Sequence, residues 1–276
     1  MVKKGFAKAF IYLMLLVMYA PIILLVIFSF VDFEHISFQQ LFSGENLGFK
    51  LYVDLFTNED GATVIQAFKN TLLVAISSGV ISTILGTFGA IGIFYSGKRM
   101  RKSFELAGQI PVLNPEIITA LSLTILFVFV GIEFNFITLL IGHVVLTVPF
   151  VVLSVMPKLK QMDSNIYEAA LDLGAKPKQA LTKIIIPQIL PGILSGFILA
   201  VTLSLDDYII TAFTRNNSFV TLSTYVYGVT SKRGAIPPTL RALTTIIVVA
   251  TLIVLLVYNF TSGKKKPKRG RIWESI

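Results

Sequence analysis

Three carboxylates stand where a chain this apolar has little reason to carry charge. Glu116 lies in Leu113-Asn114-Pro115-Glu116, and Asp206 and Asp207 lie in Ser204-Leu205-Asp206-Asp207-Tyr208, all within long hydrophobic stretches. Charge inside a membrane is expensive, and acids kept there as a rule line ion or substrate routes. Acids without matching buried bases suit the passage of a cation, which sheds water as it crosses lipid and needs opposite charge along the way. Tyr208, with Tyr225, Tyr227 and Phe213 further on, can add aromatic faces for alkylammonium groups. An elongated polycation with several amines fits acids spaced along a channel. The blander readings are a partnered structural carboxylate at Glu116 and an interfacial helix end at the aspartate pair. Adjacent helical residues point about 100° apart, so only one of Asp206 and Asp207 need face a pathway.

Other chemistry finds little support. Gly92-Ile-Phe-Tyr-Ser-Gly97-Lys98-Arg99 imitates a phosphate-binding loop, but Arg99 stands where magnesium needs Ser or Thr, and an apolar helix rather than a strand precedes it. Any ATP must therefore be hydrolysed by a partner, and no cofactor is expected in this chain. His35 and His143 are too far apart in sequence to suggest a metal pair. His143, inside an apolar segment, is most simply a hydrogen bonder between helices. No nucleophile elbow or Ser-x-x-Lys pattern appears, and the absence of cysteine removes disulfides and thiolate metal sites. The chain is expected not to be an enzyme.

The elements that carry the acids are membrane spans. The sequence is over half hydrophobic, and six segments are long enough to cross about 30 Å of hydrocarbon: Phe10–Val31, Val64–Tyr95, Leu106–Gly131, Phe136–Met156, Ile184–Phe213 and Leu240–Phe260. Lys3, Lys4 and Lys8, then Lys98, Arg99, Arg101 and Lys102, then Lys158, Lys160, Lys176, Lys178 and Lys183, then Lys264, Lys265, Lys266, Lys268, Arg269 and Arg271 all fall on one side if the spans alternate. The positive-inside rule makes that side cytoplasmic, with both termini. Asp32, Glu34, Glu45, Asp54, Glu59 and Asp60 mark the other. The excess of basic residues thus reports topology and lipid contact, not nucleic acid. The first span exceeds a signal-peptide core and lacks a cleavage site, so a retained anchor is expected. No separate soluble domain is evident. Residues 1–276 read as one transmembrane domain with a cytoplasmic loop at about 158–183 and a basic tail at 261–276.

Within this frame Glu116 is roughly 20 Å along a helix from the basic loop at Ser103, well inside the bilayer, and the aspartates are roughly 28 Å from Pro187. Pro111, Asn114 and Pro115 predict a broken helix, the geometry that lines cavities. Ser82, Gly86 and Ala90 give the small-residue spacing of close helix packing, and Leu51–Phe56 is expected to be a short interfacial helix.

One polar stretch between spans is too patterned for a slack linker. Ile166, Ala169, Ala170 and Leu173 recur at helical spacing. Gly174 ends that helix where a left-handed cap is cheap, and Pro177 opens a second short helix running to Pro187. Such a corner on the basic side looks built to plug into another protein. Glu168-Ala169-Ala170, then Gly174, then Ile184 and Pro187 in this order resemble the EAA loop of binding-protein-dependent ABC importer permeases. With Pro115-Glu116 and Ser204-Leu205-Asp206-Asp207-Tyr208, the whole chain resembles the PotC-type permeases of spermidine/putrescine importers. The resemblance implies an all-α, six-helix MetI-like permease fold, a bacterial plasma membrane, and a loop docking on a cytoplasmic ATPase through Glu168, Ala169, Ala170, Asp172, Gly174 and Pro187. It implies a substrate pathway along Glu116, Asp206, Asp207 and Tyr208. It further implies a PotB-like second permease, a PotA-like ATPase dimer that binds ATP and magnesium, and a PotD-like external polyamine-binding protein. A permease for another cationic or amine-bearing solute, and an ion-coupled carrier or channel without an ATPase, remain open at this point. The tail ending Arg271-Ile-Trp-Glu-Ser-Ile departs from the family pattern.

Overall fold

A computed structural model describes residues 2–32, 48–163, 165–234 and 236–262. His35, Glu34, Glu45 and the basic tail after residue 262 lie outside the described residues. Every regular element described is helical: α1 (Val2–Phe28), α2 (Lys50–Thr57), α3 (Glu59–Tyr95), α4 (Lys98–Leu113), α5 (Glu116–Val130), α6 (Phe136–Gln161), α7 (Ile166–Asp172), α8 (Pro177–Ala180), a π turn (Leu181–Ile185), α9 (Ile186–Asp206), α10 (Ile209–Thr214), α11 (Leu222–Arg233) and α12 (Pro238–Ser262). Among the described residues four helical stretches are long and apolar enough to cross a membrane: Lys8–Phe28, Glu59–Tyr95, Phe136–Gln161 and Pro177–Asp206. Glu116–Val130 and Pro238–Ile253 are shorter apolar helices. These six correspond to the six expected spans.

The chain forms two compact units, Met1–Ile65 with Val229–Ile276, and Gln66–Gly228. In the first, α2 and α1 each pack on α12. Leu51 and Leu55 of α2 are buried, so a helix stands where Leu51–Phe56 predicts one. Most of the large apolar side chains of α1 are exposed, the surface of a helix meeting lipid or another chain. Lys50 pairs with Asp32, whose carboxylate raises the ammonium above its ordinary pKa by hydrogen bond and charge. Lys50 is exposed and Asp32 half-buried, so solvent screens the pair and it adds little stability.

The second unit is organised by α6 and α9. Asn135 caps α6, accepting from the N–H groups of Ile137 and Thr138. Glycines let the helices meet closely: a methyl group on Gly192 would stand 2.8 Å from Lys158 Cγ. The expected small-residue face of α3 is the face that packs. Ser82 bonds Thr147 at 2.6 Å, a Cβ on Gly86 would lie 2.7 Å from Val151, and Ala90 joins a core with Val151, Val155, Leu159, Ile185 and Ile189. Gly86→Leu must therefore overpack this seam, at about 1–3 kcal/mol. Gly89→Leu, where the nearest atom is 4.0 Å away, is the control. Thermal unfolding of purified protein in detergent should show a lower midpoint for Gly86→Leu only.

Two spans differ from the simplest reading. The third is two helices: α4 ends at Leu113, Asn114 and Pro115 are extended, and α5 begins at Glu116. This is the break that Asn114 and Pro115 predict, since the residue before proline avoids helix. Pro111 is accommodated within α4. The fifth span, expected to be continuous from Ile184 to Phe213, breaks at Asp207. There the Asp207 carboxylate accepts from the N–H groups of Ile210 and Thr211 at 3.1 and 2.8 Å, competing with the helical ladder and starting a new helix. The second short helix also does not end at Pro187. It runs on through the π turn into α9, with the Ile186 N–H reaching back to the Leu181 carbonyl. The wider turn just before Pro187 absorbs the proline's missing donor and ring bulk.

Candidate functional site

The breaks at 114–115 and 207–208 place Glu116 within electrostatic reach of Asp206 and Asp207. α10 packs on α5 and α6. Ala120, Leu146 and Ile210 form the buried contact, Thr124 donates to the Phe213 carbonyl at 3.1 Å, and Thr138 to the Thr214 carbonyl at 2.9 Å. Glu116, the first residue of α5, is exposed and lies within electrostatic reach of both Asp206 and Asp207. Its place in the first turn sets a negative charge against the positive end of α5. α5 alone spans about 22 Å, short of the roughly 30 Å core.

The adjacent aspartates have opposite environments. Asp206, last residue of α9, is exposed. Asp207 is 6% exposed and, besides the two backbone bonds, accepts from the Thr211 hydroxyl at 2.9 Å. Its main-chain oxygen accepts from Ser223 at 2.7 Å. Tyr208 is half-buried and lies against Tyr227, with ring centroids 4.4 Å apart. The free polar surface of this cluster is thus Glu116, Asp206 and the exposed Tyr227 ring. Two carboxylates beside an aromatic pair can take a cation with an alkyl chain, offering charge to the amine and ring faces to its methylenes. Among the described residues no group of three potential metal ligands assembles.

A buried polar chain stands behind these residues. His143 on α6 is 1% exposed, with Nδ1 2.7 Å from Ser204 Oγ on α9 and Nε2 3.0 Å from Thr211 Oγ1 on α10. Ser78 on α3 reaches Ser204 at 3.1 Å. His143 is the hydrogen bonder between helices that its apolar setting predicts. Ser78, Ser204 and Thr211 escape a sequence reading, because isolated hydroxyls in apolar helices are common and their partners lie far along the chain.

The loop residues form a rigid corner. α7 carries Glu168, Ala169, Ala170 and Asp172, of which Ala170 is buried and the others exposed. The Gly174 N–H bonds the Leu171 carbonyl and the Ala175 N–H bonds the Ala170 carbonyl. With Gly174 at φ +86°, these bonds make the left-handed glycine cap expected there. Pro177 opens α8, and the Tyr167 ring packs tilted against Tyr95 with centroids 5.2 Å apart, tying the corner to the end of α3. Pro187 lies exposed in the first turn of α9. Leu173, expected on the apolar face of α7, is instead 89% exposed at the tip.

The family model described as "Binding-protein-dependent transport system inner membrane component" matches residues 82–264. The chain is 31% identical, over 93% of its own length and 96% of the relative's, to the spermidine/putrescine transport system permease protein PotC of Haemophilus influenzae. It is 30% identical, over 92% of its length and 89% of the relative's, to the putrescine transport system permease protein PotI of Escherichia coli. Among solved structures it matches a chain of a bacterial ABC transporter involved in the import of the acidic polysaccharide alginate, with TM-score 0.70, 17% identity, and coverage of 96% and 97% of the two chains. At that identity the likeness is one of fold.

Proposed function

Because this chain belongs to the family of binding-protein-dependent transport system inner membrane components, we propose that it is one of two membrane subunits of an ATP-driven polyamine importer. The observation that carries the substrate class is the placement of Glu116, Asp206 and Asp207 at two helix breaks within electrostatic reach of one another, beside Tyr208 and Tyr227. Negative charge at broken helices suits a cation, and the acids with the aromatic pair suit an alkyl chain bearing amines. The curated permeases for spermidine and putrescine, similar over nearly the whole chain, support the same class.

The chain supplies pathway and coupling. ATP and magnesium belong to a PotA-like ATPase dimer on the cytoplasmic side, where the lysines of the 158–183 loop are retained by the positive-inside rule. A PotB-like permease completes the pore, and a PotD-like protein delivers substrate from outside a bacterial plasma membrane. ATP binding closes the ATPase dimer, and the corner at 166–177 passes that closure to α9 as rigid-body motion. Its capped geometry and its packing on α3 support this role, since a slack loop would absorb the motion. The acids then face outward to receive the amine, and inward after hydrolysis.

Uptake of labelled spermidine is measured in cells lacking this chain, with and without a plasmid-borne copy, and with unlabelled putrescine as competitor. Energy-dependent uptake should be restored and reduced by putrescine. Protein that is inserted and bound to its ATPase yet restores no uptake would turn the reading to another cationic or amine-bearing solute. Restored uptake without an ATPase would turn it to an ion-coupled carrier.

A further inference from the structure

His143 is the one side chain among the described residues that clasps both sides of the bend between α9 and α10. One ring nitrogen holds Ser204, two residues before Asp206, and the other holds Thr211, four residues after Asp207. The Thr211 hydroxyl donates to Asp207 Oδ2, so Thr211 Oγ1 accepts from His143 Nε2–H. Nδ1 then accepts from Ser204, which accepts in turn from Ser78. A single run of donors and acceptors, Ser78 to Ser204 to His143 to Thr211 to Asp207, thus crosses α3, α9, α6 and α10 with each direction consistent. An imidazole is rigid, so the spacing between its nitrogens sets the separation of Ser204 and Thr211, and with it the angle of the bend.

That angle decides which aspartate meets the pathway. Asp207 is turned inward by three hydrogen bonds, and Asp206, its neighbour, is turned outward as a consequence. Thr138 of α6 also holds the Thr214 carbonyl, but that contact fixes only the far end of α10, whereas His143 ties α10 to α9 across the bend itself. We propose that His143 is a positioning residue for the transport pathway: it touches no substrate, but fixes the α9–α10 bend so that Asp206, and not Asp207, faces the amine. The proposal rests on the polyamine reading only for the identity of what Asp206 meets.

The test uses the assembled importer, to which this chain brings no cysteine of its own, and the importer without Asp206→Cys gives the background. Asp206→Cys is introduced alone and together with His143→Leu or His143→Gln. The rate of modification by a membrane-impermeant, positively charged methanethiosulfonate is then followed at equal inserted protein. Asp206→Cys alone should react readily. His143→Leu should slow it at least fivefold, whereas His143→Gln, which keeps a donor aimed at Thr211, should remain within twofold. Should His143→Leu fail to accumulate, Ser204→Ala cuts the other arm of the clasp without touching Asp207 and carries the same comparison. Reaction at the unaltered rate in His143→Leu, or in Ser204→Ala as its substitute, overturns the proposal. In the Asp206 background, His143→Leu should raise the KM for spermidine uptake severalfold with Vmax within twofold, a split that general destabilisation would not give. Thiol modification needs no substrate. A slowed label in a chain that carries no polyamine would therefore sink the substrate reading and leave the positioning role standing.

Discussion

Glu116→Gln and Asp206→Asn should each lower polyamine uptake about 10- to 100-fold at unchanged levels of inserted protein. A charge-assisted hydrogen bond to an amine is worth about 1.5–3 kcal/mol, and more where water is excluded. Since about 1.4 kcal/mol is a factor of ten, losing one such contact accounts for the range. Both side chains are exposed on the described surface and neither holds the fold together, so neutral isosteres remove charge and little else. Asp207→Asn should behave differently, although it alters the neighbouring residue in the same way. Its carboxylate accepts from Ile210 N, Thr211 N and Thr211 Oγ1. An amide would turn a donor toward one of those donors and leave a buried group unpaired, at about 1–3 kcal/mol. The expected outcome is a lower thermal midpoint and less inserted protein, with residual uptake following protein amount. Kinetics of labelled spermidine uptake, normalised to inserted protein, separate the two behaviours. Normal kinetics in both Glu116→Gln and Asp206→Asn would end the acidic-pathway reading.

The helical membrane fold was legible because its determinants are local or periodic. Apolar length sets the spans, Asn114-Pro115 breaks the third, and Ser82, Gly86 and Ala90 mark the packed face of α3. The all-α, MetI-like permease architecture is what these residues build. Gly174 and Pro177 fixed the corner for the same reason, since a left-handed cap and a helix-opening proline need no distant partner. The break at Asp207 was hidden. Leu205-Asp206-Asp207-Tyr208 reads as helix with two acids, and either aspartate could have continued it; only Asp207 turns its carboxylate to the N–H groups of Ile210 and Thr211 and caps α10. The orientation of Leu173 was also beyond a periodic reading. Helical spacing puts it with Ile166 and Ala170, but the left-handed turn at Gly174 begins beside it and swings it out.

Leu173→Glu should sharply reduce retention of the partner ATPase, by at least tenfold in co-purification, without lowering the thermal stability of the permease itself. A leucine 89% exposed at a loop tip packs little within its own chain, and an apolar side chain presented by a rigid corner has the form of an interface anchor. Burying a leucine contributes about 1.5–3 kcal/mol, and placing a carboxylate in the same apolar contact adds a desolvation cost. Gly174→Val tests the scaffold rather than the contact. At φ +86° a residue with a Cβ costs about 1–2 kcal/mol, and a β-branched one more. The capping bonds to Leu171 and Ala170 should loosen and Leu173 should lose its presentation. Gly174→Val should therefore lose ATPase retention together with local rigidity, seen as faster hydrogen exchange over 166–177, while Leu173→Glu loses retention with exchange of the free permease unchanged. Substrate affinity of the external binding protein should be the same in both, because the proposed topology puts both residues on the cytoplasmic side. If Leu173→Glu and Gly174→Val both retain the ATPase and support normal uptake, the corner at 166–177 is not the docking element, and coupling must enter through another cytoplasmic segment.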